Sequence, residues 1–405
     1  MTKPEQLGFS SDRLARIDRF LQTQYIEAGK FAGTVLAISR GGEIVHQSVL
    51  GLADRERDTP MREDTIFRLY SMTKPLTSVA FMMLVEEGLV LLNEPVHHYI
   101  PSWRDLGVFV SGVDGAFQTK RPASAMRIID LLRHTSGLTY GFQMRSNVDA
   151  AYRKLDIGGS ESKLSTARMV ELLATVPLEY PPGEAWCYSI STDVLGYLVE
   201  IISGMPFEDF LRTRLLSPLE MPDTDFFVAA ENRSRLAACY MMDTSGKPVL
   251  YDDPATSRFH APHPFVSGGG GLAGTAADYM KFCHMLLAGG VANGHCFLSP
   301  KTIQFMTMNH LPGGKELTEL SRSMYSEAIY SGLGYGLGFA VVVDRARTMT
   351  PGNVGEYFWG GSASTAFWID PKEELAVVFL AQLIPSSFWP IRQQLRALVY
   401  AAMES

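Results

Sequence analysis

Residues 65–86 read TIFRLYSMTKPLTSVAFMMLVE, and this stretch decides how the rest of the chain is understood. Thr65 to Tyr70 has the β-branched and aromatic content of a strand, and from Ser71 onward the pattern changes to an apolar helix. Such a helix is apolar nearly all round and therefore buried. Pro75 falls in its first turn, where a missing N–H costs nothing. Ser71 and Lys74 are three residues apart, so on a helix they share a face, and the amine can reach the hydroxyl. A helix start also offers unpaired backbone N–H groups and a positive dipole end to a developing oxyanion. The plain alternative is that Ser71 is an ordinary N-cap. A second Ser-x-x-Lys string, Ser160 to Lys163, lies in the polar loop GGSESKLST and lacks this context. Roughly one or two such strings are expected by chance in a chain this long, so context, and not the tetrad, carries the assignment.

Working outward, Ser11 to Gly29 has apolar residues at helical spacing. Thr34 to Ser39 and Ile44 to Leu50 follow as strands joined by Arg40, Gly41 and Gly42. At the far end, Gly338 to Val343, Glu356 to Trp359, Thr365 to Ile369 and Leu375 to Leu380 are short β-rich runs before a helical tail, Phe388 to Met403. Helical periodicity dominates between: Lys74 to Glu87, Ser124 to Leu132, Ser165 to Thr175, Thr192 to Ser203 and Phe207 to Leu216. The expectation is an α/β fold of the α+β type, with an antiparallel sheet flanked by helices. Its sheet domain is discontinuous, built from residues 1–70 and 225–405, and a mainly helical domain spans 71–224. A site is expected at their interface.

Two further strings bear on chemistry. Tyr188, in Tyr188-Ser189-Ile190, precedes the helix that begins near Thr192. A phenol is a poor base in water, but a buried lysine cation beside it favours the tyrosinate, so a Lys–Tyr pair can act as base and then acid. In Trp359-Gly360-Gly361-Ser362, two glycines at a strand end permit close approach of a substrate to backbone, and the N–H of Ser362 is placed to be a second oxyanion donor. Taken singly, Tyr188 reads as a packed loop tyrosine and the glycine pair as a plain turn.

Composition excludes several classes. The 405 residues are 46% apolar and 20% charged, which is globular usage, and the length corresponds to two or three ordinary domains. A net charge of −7 with no basic stripe disfavours nucleic acid and anionic membrane surfaces, leaving a neutral or cationic small molecule. Cys187, Cys239, Cys283 and Cys296 are widely spaced and unaccompanied by histidines at ligand spacing, so neither zinc nor any other metal is expected. The first twenty residues lack a signal-peptide h-region, and the apolar run from Leu76 to Leu92 is broken at Glu86, Glu87 and Gly88. A cytoplasmic protein is expected.

The strings in this order resemble serine hydrolases of the class C β-lactamase and D-alanyl-D-alanine carboxypeptidase superfamily, which carry S-x-x-K, Y-x-N or Y-S-x, then K-T-G or a W-G-G strand. Leu92 to Val96, Leu131 to Leu138 (LLRHTSGL), Pro218 to Met221, Gly268 to Leu272 and Tyr335 to Gly338 are similar to flanking strings of that family. The resemblance covers roughly residues 10–400 and implies a β-lactamase-like fold. It makes His134 part of a turn, reads Gly268 to Gly271 as tight loop packing, and matches Gln143 to a site-lining glutamine. Two departures set the subfamily. Trp359 stands where β-lactamases have the K-T-G lysine, and Ile190 where they have the Asn of Y-x-N. An indole cannot supply the charge-assisted bond that holds a substrate carboxylate, whereas it widens an apolar wall. That resembles family VIII carboxylesterases and related acyltransferases. The expectation is then a serine carboxylesterase for short- to medium-chain esters, with Ser71 as nucleophile and Lys74 and Tyr188 as its proton-transfer pair. Ser71 and Ser362 supply backbone N–H groups, and Trp359, Gly360, Gly361, Gln143 and Ile190 line the substrate site. No cofactor is implied, and oligomeric state is left open. The alternatives are an acyltransferase, a β-lactamase or D-amino-acid peptidase of the same fold, and, from another class, a non-catalytic ligand sensor or scaffold.

Overall fold

Helix α1, Ser11–Leu21, buries Leu14, Ile17 and Leu21 on one stripe and runs on into a wider helical turn, Gln22–Ile26. The chain then forms a hairpin, β1 (Gly33–Arg40) and β2 (Glu43–Asp54), whose tight corner needs left-handed backbone at Gly41 and Gly42. These coordinates are a computed structural model, and they describe residues 3–159, 162–323, 327 and 331–404. Short β3 (Thr59–Pro60) closes one edge. The remaining strands of the sheet come from the C-terminal part: β4 (Leu333–Tyr335), β5 (Ala340–Val342), β6 (Tyr357–Gly360), β7 (Ala366–Asp370) and β8 (Leu375–Leu380). The sheet order is β4-β5-β6-β7-β8-β1-β2-β3, with antiparallel pairing throughout. The two ends of the chain meet where β8 pairs with β1, Leu380 opposite Val35.

All six residues of β8 are buried, so this sheet is covered on both faces. The cover comes from α1 packed beside the C-terminal helix Ile391–Ala402, and from helix Ala276–Leu287 lying on β8 and β1. Between β3 and β4 the chain is mainly helical. Helix α2, Thr73–Glu86, is buried at twelve of its fourteen positions, and it packs against α3, Ser191–Ser203. Among the described residues, no helix is long and apolar enough to cross a membrane.

Several local readings need correction. The helix expected over Ser124 to Leu132 is only Ile128–Leu132, because Asp130 accepts from the Arg127 backbone N–H and fixes the start there, while Met126 is tied to Val96 in an extended run. A hairpin, Val108–Ser111 with Gln118–Lys120, sits inside the helical segment. A separate three-stranded sheet joins Cys239–Met242, Pro248–Asp252 and Leu383–Ile384. The tail helix begins at Ile391, directly after Pro390. The expected strand before Ser71 is reduced to a parallel bridge of Ile66 with Leu236 and the two-residue pairing of Phe67–Arg68 with Ala273–Gly274.

That short bridge is held by Arg68, which is fully buried. Its Nε donates to Asp252 Oδ2 at 2.6 Å and its Nη2 to Ser257 Oγ at 3.0 Å. Removing one partner of such a pair strands the other. Arg68→Met is expected to cost about 3–5 kcal/mol of stability, read as a lowered midpoint in urea unfolding. A loss below about 1 kcal/mol would show that Asp252 is relieved by solvent.

Candidate active site

Ser71 does not cap a helix. Tyr70 takes left-handed backbone (φ +46°), an uncommon state for a bulky residue, and Tyr70–Met72 form one tight turn before α2 starts at Thr73. The turn is clamped from two directions. Leu69 N–H donates to Leu272 O at 2.9 Å and Leu272 N–H returns to Thr73 Oγ1 at 3.1 Å. At the end of β6, a Cβ on Gly361 would come within 2.3 Å of Leu69 O, so only glycine lets the strand end press against the turn.

The three residues expected to act together do meet. Tyr188 Oη donates to Ser71 Oγ at 2.6 Å, and Lys74 Nζ donates to Ser71 Oγ at 3.2 Å and to Gly269 O at 2.7 Å. The ammonium lies over ring faces rather than beside the phenol oxygen, 4.6 Å from the Tyr188 centroid and 5.3 Å from that of Tyr140. Lys74 is 1% exposed. Burial pushes its pKa down to about 8, against the opposing pull of the Asp193 and Glu327 carboxylates. Burial pushes Tyr188 well above the usual phenol range and Glu327 adds to that, while its contact with the Ser71 hydroxyl and the nearness of the Trp359 indole oppose it. A neutral amine is therefore within easy reach near pH 8, and a resting tyrosinate is not. The expected benefit of a lysine cation beside the phenol is outweighed by desolvation.

Asp193, Tyr140, Gly269 and Glu327 were not anticipated. Asp193 lies in the first turn of α3, fully enclosed, and its Oδ1 accepts from Ser267 Oγ at 2.5 Å and Gly269 N–H at 3.0 Å. A lone acid in the first turn of an apolar helix, five residues after Tyr188, was its sequence signal. The glycine run Gly268 to Gly271 passes close by: a Cβ on Gly268 would meet Thr192 O at 2.6 Å, and one on Gly269 would meet Asp193 Oδ2 at 2.5 Å. Glu327 Oε2 accepts from Arg392 Nη2 at 2.7 Å and Ser386 Oγ at 2.9 Å.

Above Ser71 opens a cleft of about 690 Å³. Its lining includes Ser71, Tyr188 and Ser362, with apolar walls from Phe142 and Ile157 of the helical part and Met241, Tyr251 and Ile384 of the sheet part. The five residues expected to line it do not. Trp359 is 1% exposed and packs on Tyr188 and Tyr335, because alternation along β6 turns its side chain beneath the phenol. Gly360 lies under the Arg392 guanidinium and Gly361 against Leu69. Gln143 is 2% exposed, its Nε2 donating to Tyr188 O at 3.2 Å, and Ile190 is enclosed beside Gly158. These residues fix the Tyr188 and Ser71 supports from behind.

His134 has left-handed backbone in its turn, its Nδ1 is 3.2 Å from Ser189 Oγ, and its ring packs on Tyr188; burial pushes it well below the usual imidazole range. Lys163 is exposed, and Ser160 of the second tetrad lies outside the described residues. Among the described residues, no group of three or more His, Cys, Asp or Glu is placed to hold a metal ion.

Fold and site together define a serine hydrolase built from an antiparallel sheet and a helical insertion. The chain belongs to the β-lactamase family, whose sequence profile matches residues 18–401. It is 33% identical over 362 residues to an uncharacterized protein of Mycobacterium tuberculosis, covering 89% of this chain and 88% of that one. It is 31% identical over 405 residues to the esterase EstB of Burkholderia gladioli, covering 96% and 95%. Among solved structures it is similar to EstCE1, described as a hydrolase with promiscuous acyltransferase activity: TM-score 0.81, 27% identity, 96% of this chain and 99% of that one.

Since the Asp193 carboxylate raises the Lys74 pKa, Asp193→Asn is expected to lower it below about 8. The shift of ¹³Cε-labelled lysine with pH reads this directly. An unchanged or raised midpoint would mean that Asp193 is not charged when Lys74 titrates.

Proposed function

We propose that the protein is a serine carboxylesterase that hydrolyses short- to medium-chain esters through an acyl-enzyme on Ser71. The observation that carries this reading is Ser71 Oγ held between Tyr188 Oη (2.6 Å) and Lys74 Nζ (3.2 Å) on a largely apolar cleft. Neutral Lys74 takes the Ser71 proton as Oγ bonds to the ester carbon. Backbone N–H groups of Ser71 and Ser362 stabilise the oxyanion, a donor worth about 10²–10³ in rate in other hydrolases. When the intermediate collapses, Tyr188 protonates the departing alkoxide and is recharged from the Lys74 ammonium. Water, activated by the same pair, then releases the acid. Similarity to an esterase of Burkholderia gladioli supports the ester preference. So does Trp359, which puts no cation at the strand position where a substrate carboxylate would be held. The partner is a small neutral ester, neither nucleic acid nor membrane, and the site of action is the cytoplasm.

Acyl transfer to an alcohol is the second reading. It is favoured by the size of the cleft, which can seat an acyl chain and a bulky acceptor together, and by the similarity to EstCE1. A weak β-lactam hydrolysis would use the same acylation groups.

A p-nitrophenyl ester series, with a cephalosporin and a D-alanyl peptide alongside, tests the assignment. Ser71→Ala is expected to reduce ester turnover at least about a thousandfold and to abolish the acyl adduct seen by mass spectrometry. Turnover surviving that substitution sinks the mechanism, and a cephalosporin cleaved far faster than every ester overturns the substrate class. For wild type, kcat/KM should rise with pH and level off above about 8, where Lys74 is neutral.

A further inference from the structure

The phenol of Tyr188 sits in an aromatic cage. Rings of His134, Tyr140, Trp359 and Trp186 lie 5.1, 5.3, 5.5 and 6.1 Å from its own, centroid to centroid. Such walls present faces and edges, which stabilise a phenolate oxygen poorly. The nearby cation gives little direct help, because Lys74 Nζ stands over the ring face, 4.6 Å from the centroid. Yet the mechanism proposed above passes through a moment when Tyr188 has given its proton to the leaving alkoxide and the amine has not yet returned one. Something must meet the oxygen then.

Trp359 is the group in position. Its indole Nε1 is buried and makes no hydrogen bond in the resting arrangement. Trp368 and Trp389 share that condition but have no ring contact with Tyr188, and Trp186, which does, stacks nearly parallel to the phenol at 12° and 6.1 Å, whereas Trp359 is nearer, at 5.5 Å, and tilted toward it at 58°. Trp103, by contrast, donates to Val170 O at 3.1 Å, as buried indoles usually do. Because Trp359 is 1% exposed and does not line the cleft, its indole is not available to substrate. Its N–H is a donor held in reserve. An unmet buried donor opposes folding, and it strengthens when the acceptor becomes an anion.

We infer that Trp359 is a positioning residue whose indole N–H donates to the Tyr188 oxygen as the phenolate forms, so that β6 tunes the acid and base from behind rather than shaping the substrate pocket. This rests on the proposed mechanism. No atom is transferred to or from the indole: the proton leaves Tyr188 for the alkoxide and is replaced from Lys74, while Nε1–H stays intact. The nearness of the indole already draws the phenol downward from the level that burial imposes. Being neutral, the indole does this without adding a second positive charge beside Lys74, whose amine must also accept a proton.

Trp359→Phe keeps a ring and removes the N–H. The expected result is a fall in kcat of about 10- to 100-fold for a neutral p-nitrophenyl ester, with KM changed less than about threefold and the acid limb of the kcat profile moved to higher pH. A double-mutant cycle separates this from lost packing. In a Tyr188→Phe background, Trp359→Phe should cost no further kcat, whereas additive losses would assign Trp359 a structural role and overturn the inference. A raised KM with unchanged kcat would make it a substrate wall and overturn it equally. If Trp359→Phe does not fold, wild-type protein with ¹⁵N-labelled indoles serves instead. With its tyrosines fluorinated so that the phenols ionise at lower pH, one of the five indole resonances should move as Tyr188 ionises and stay still in Tyr188→Phe; five static resonances overturn the inference. Loss of the Ser71 mechanism is recognised separately, by Ser71→Ala retaining turnover.

Discussion

A lysine nitrogen with 1% of its residue exposed is the constraint around which the site is arranged. Removing an ammonium from water is costly unless it is paired and hydrogen-bonded, and Lys74 meets that demand from three separate segments. Ser71 Oγ and Gly269 O accept from it, and Asp193 supplies opposite charge. Each supplier brings its own requirements. Gly269 O can face Nζ only if the loop lies against α3, and that contact excludes side chains at both Gly268 and Gly269. Asp193, equally buried, must in turn be satisfied by Ser267 and the Gly269 N–H. A string of glycines, an acid in an apolar helix and a tyrosine wall thus follow from one buried amine. The residual imbalance, with desolvation exceeding the compensating charge, is what brings the amine toward neutrality at ordinary pH.

The second constraint is topological. The serine turn belongs to the start of the helical segment, but its other support, the end of β6, lies almost 300 residues later. These meet because the chain ends share one sheet, with β8 pairing to β1, and β6 reaches Leu69 through a glycine that admits the carbonyl. Arg392 of the C-terminal helix continues the clamp, donating to Gly361 O at 2.8 Å and Thr365 O at 2.7 Å. The geometry of Ser71 and Ser362 thereby depends on elements from both chain ends. Local changes far from the cleft can be felt there.

What could be read from residues alone divides along physical lines. The sheet strands, α2 and the Ser71, Lys74 and Tyr188 set were legible because burial writes a period into the sequence and because reactive residue types are few. Side-chain direction was not. Trp359, Gln143 and Ile190 carry the chemical character of a pocket lining, and whether such residues face the cleft or its supports depends on which face of a strand or loop survives packing. Helix extent failed at Ser124, where propensity was overruled by the Arg127 and Asp130 cap and by the tie between Met126 and Val96. The hairpin at Val108 and the outer sheet at Cys239 are short and register-shifted, the first largely exposed and the second partly buried, and such strands leave weak alternation in sequence. Asp193 was missed for a different reason: its role is electrostatic, set by distance to a charge more than a hundred residues away.

An indole rather than a cation at the end of β6 has its consequence toward the interior, where the Trp359 ring packs on Tyr188 and not on the cleft. A lysine at residue 359 would place a second ammonium against Tyr188 and near Lys74. Repulsion would lower both amines and pull the phenol down, transferring the role of base from lysine to tyrosine. With tryptophan there, Tyr188 stays protonated at rest and Lys74 is the group poised to accept. The residue type at this one buried strand position therefore bears on the division of labour in proton transfer, because its side chain packs directly on Tyr188.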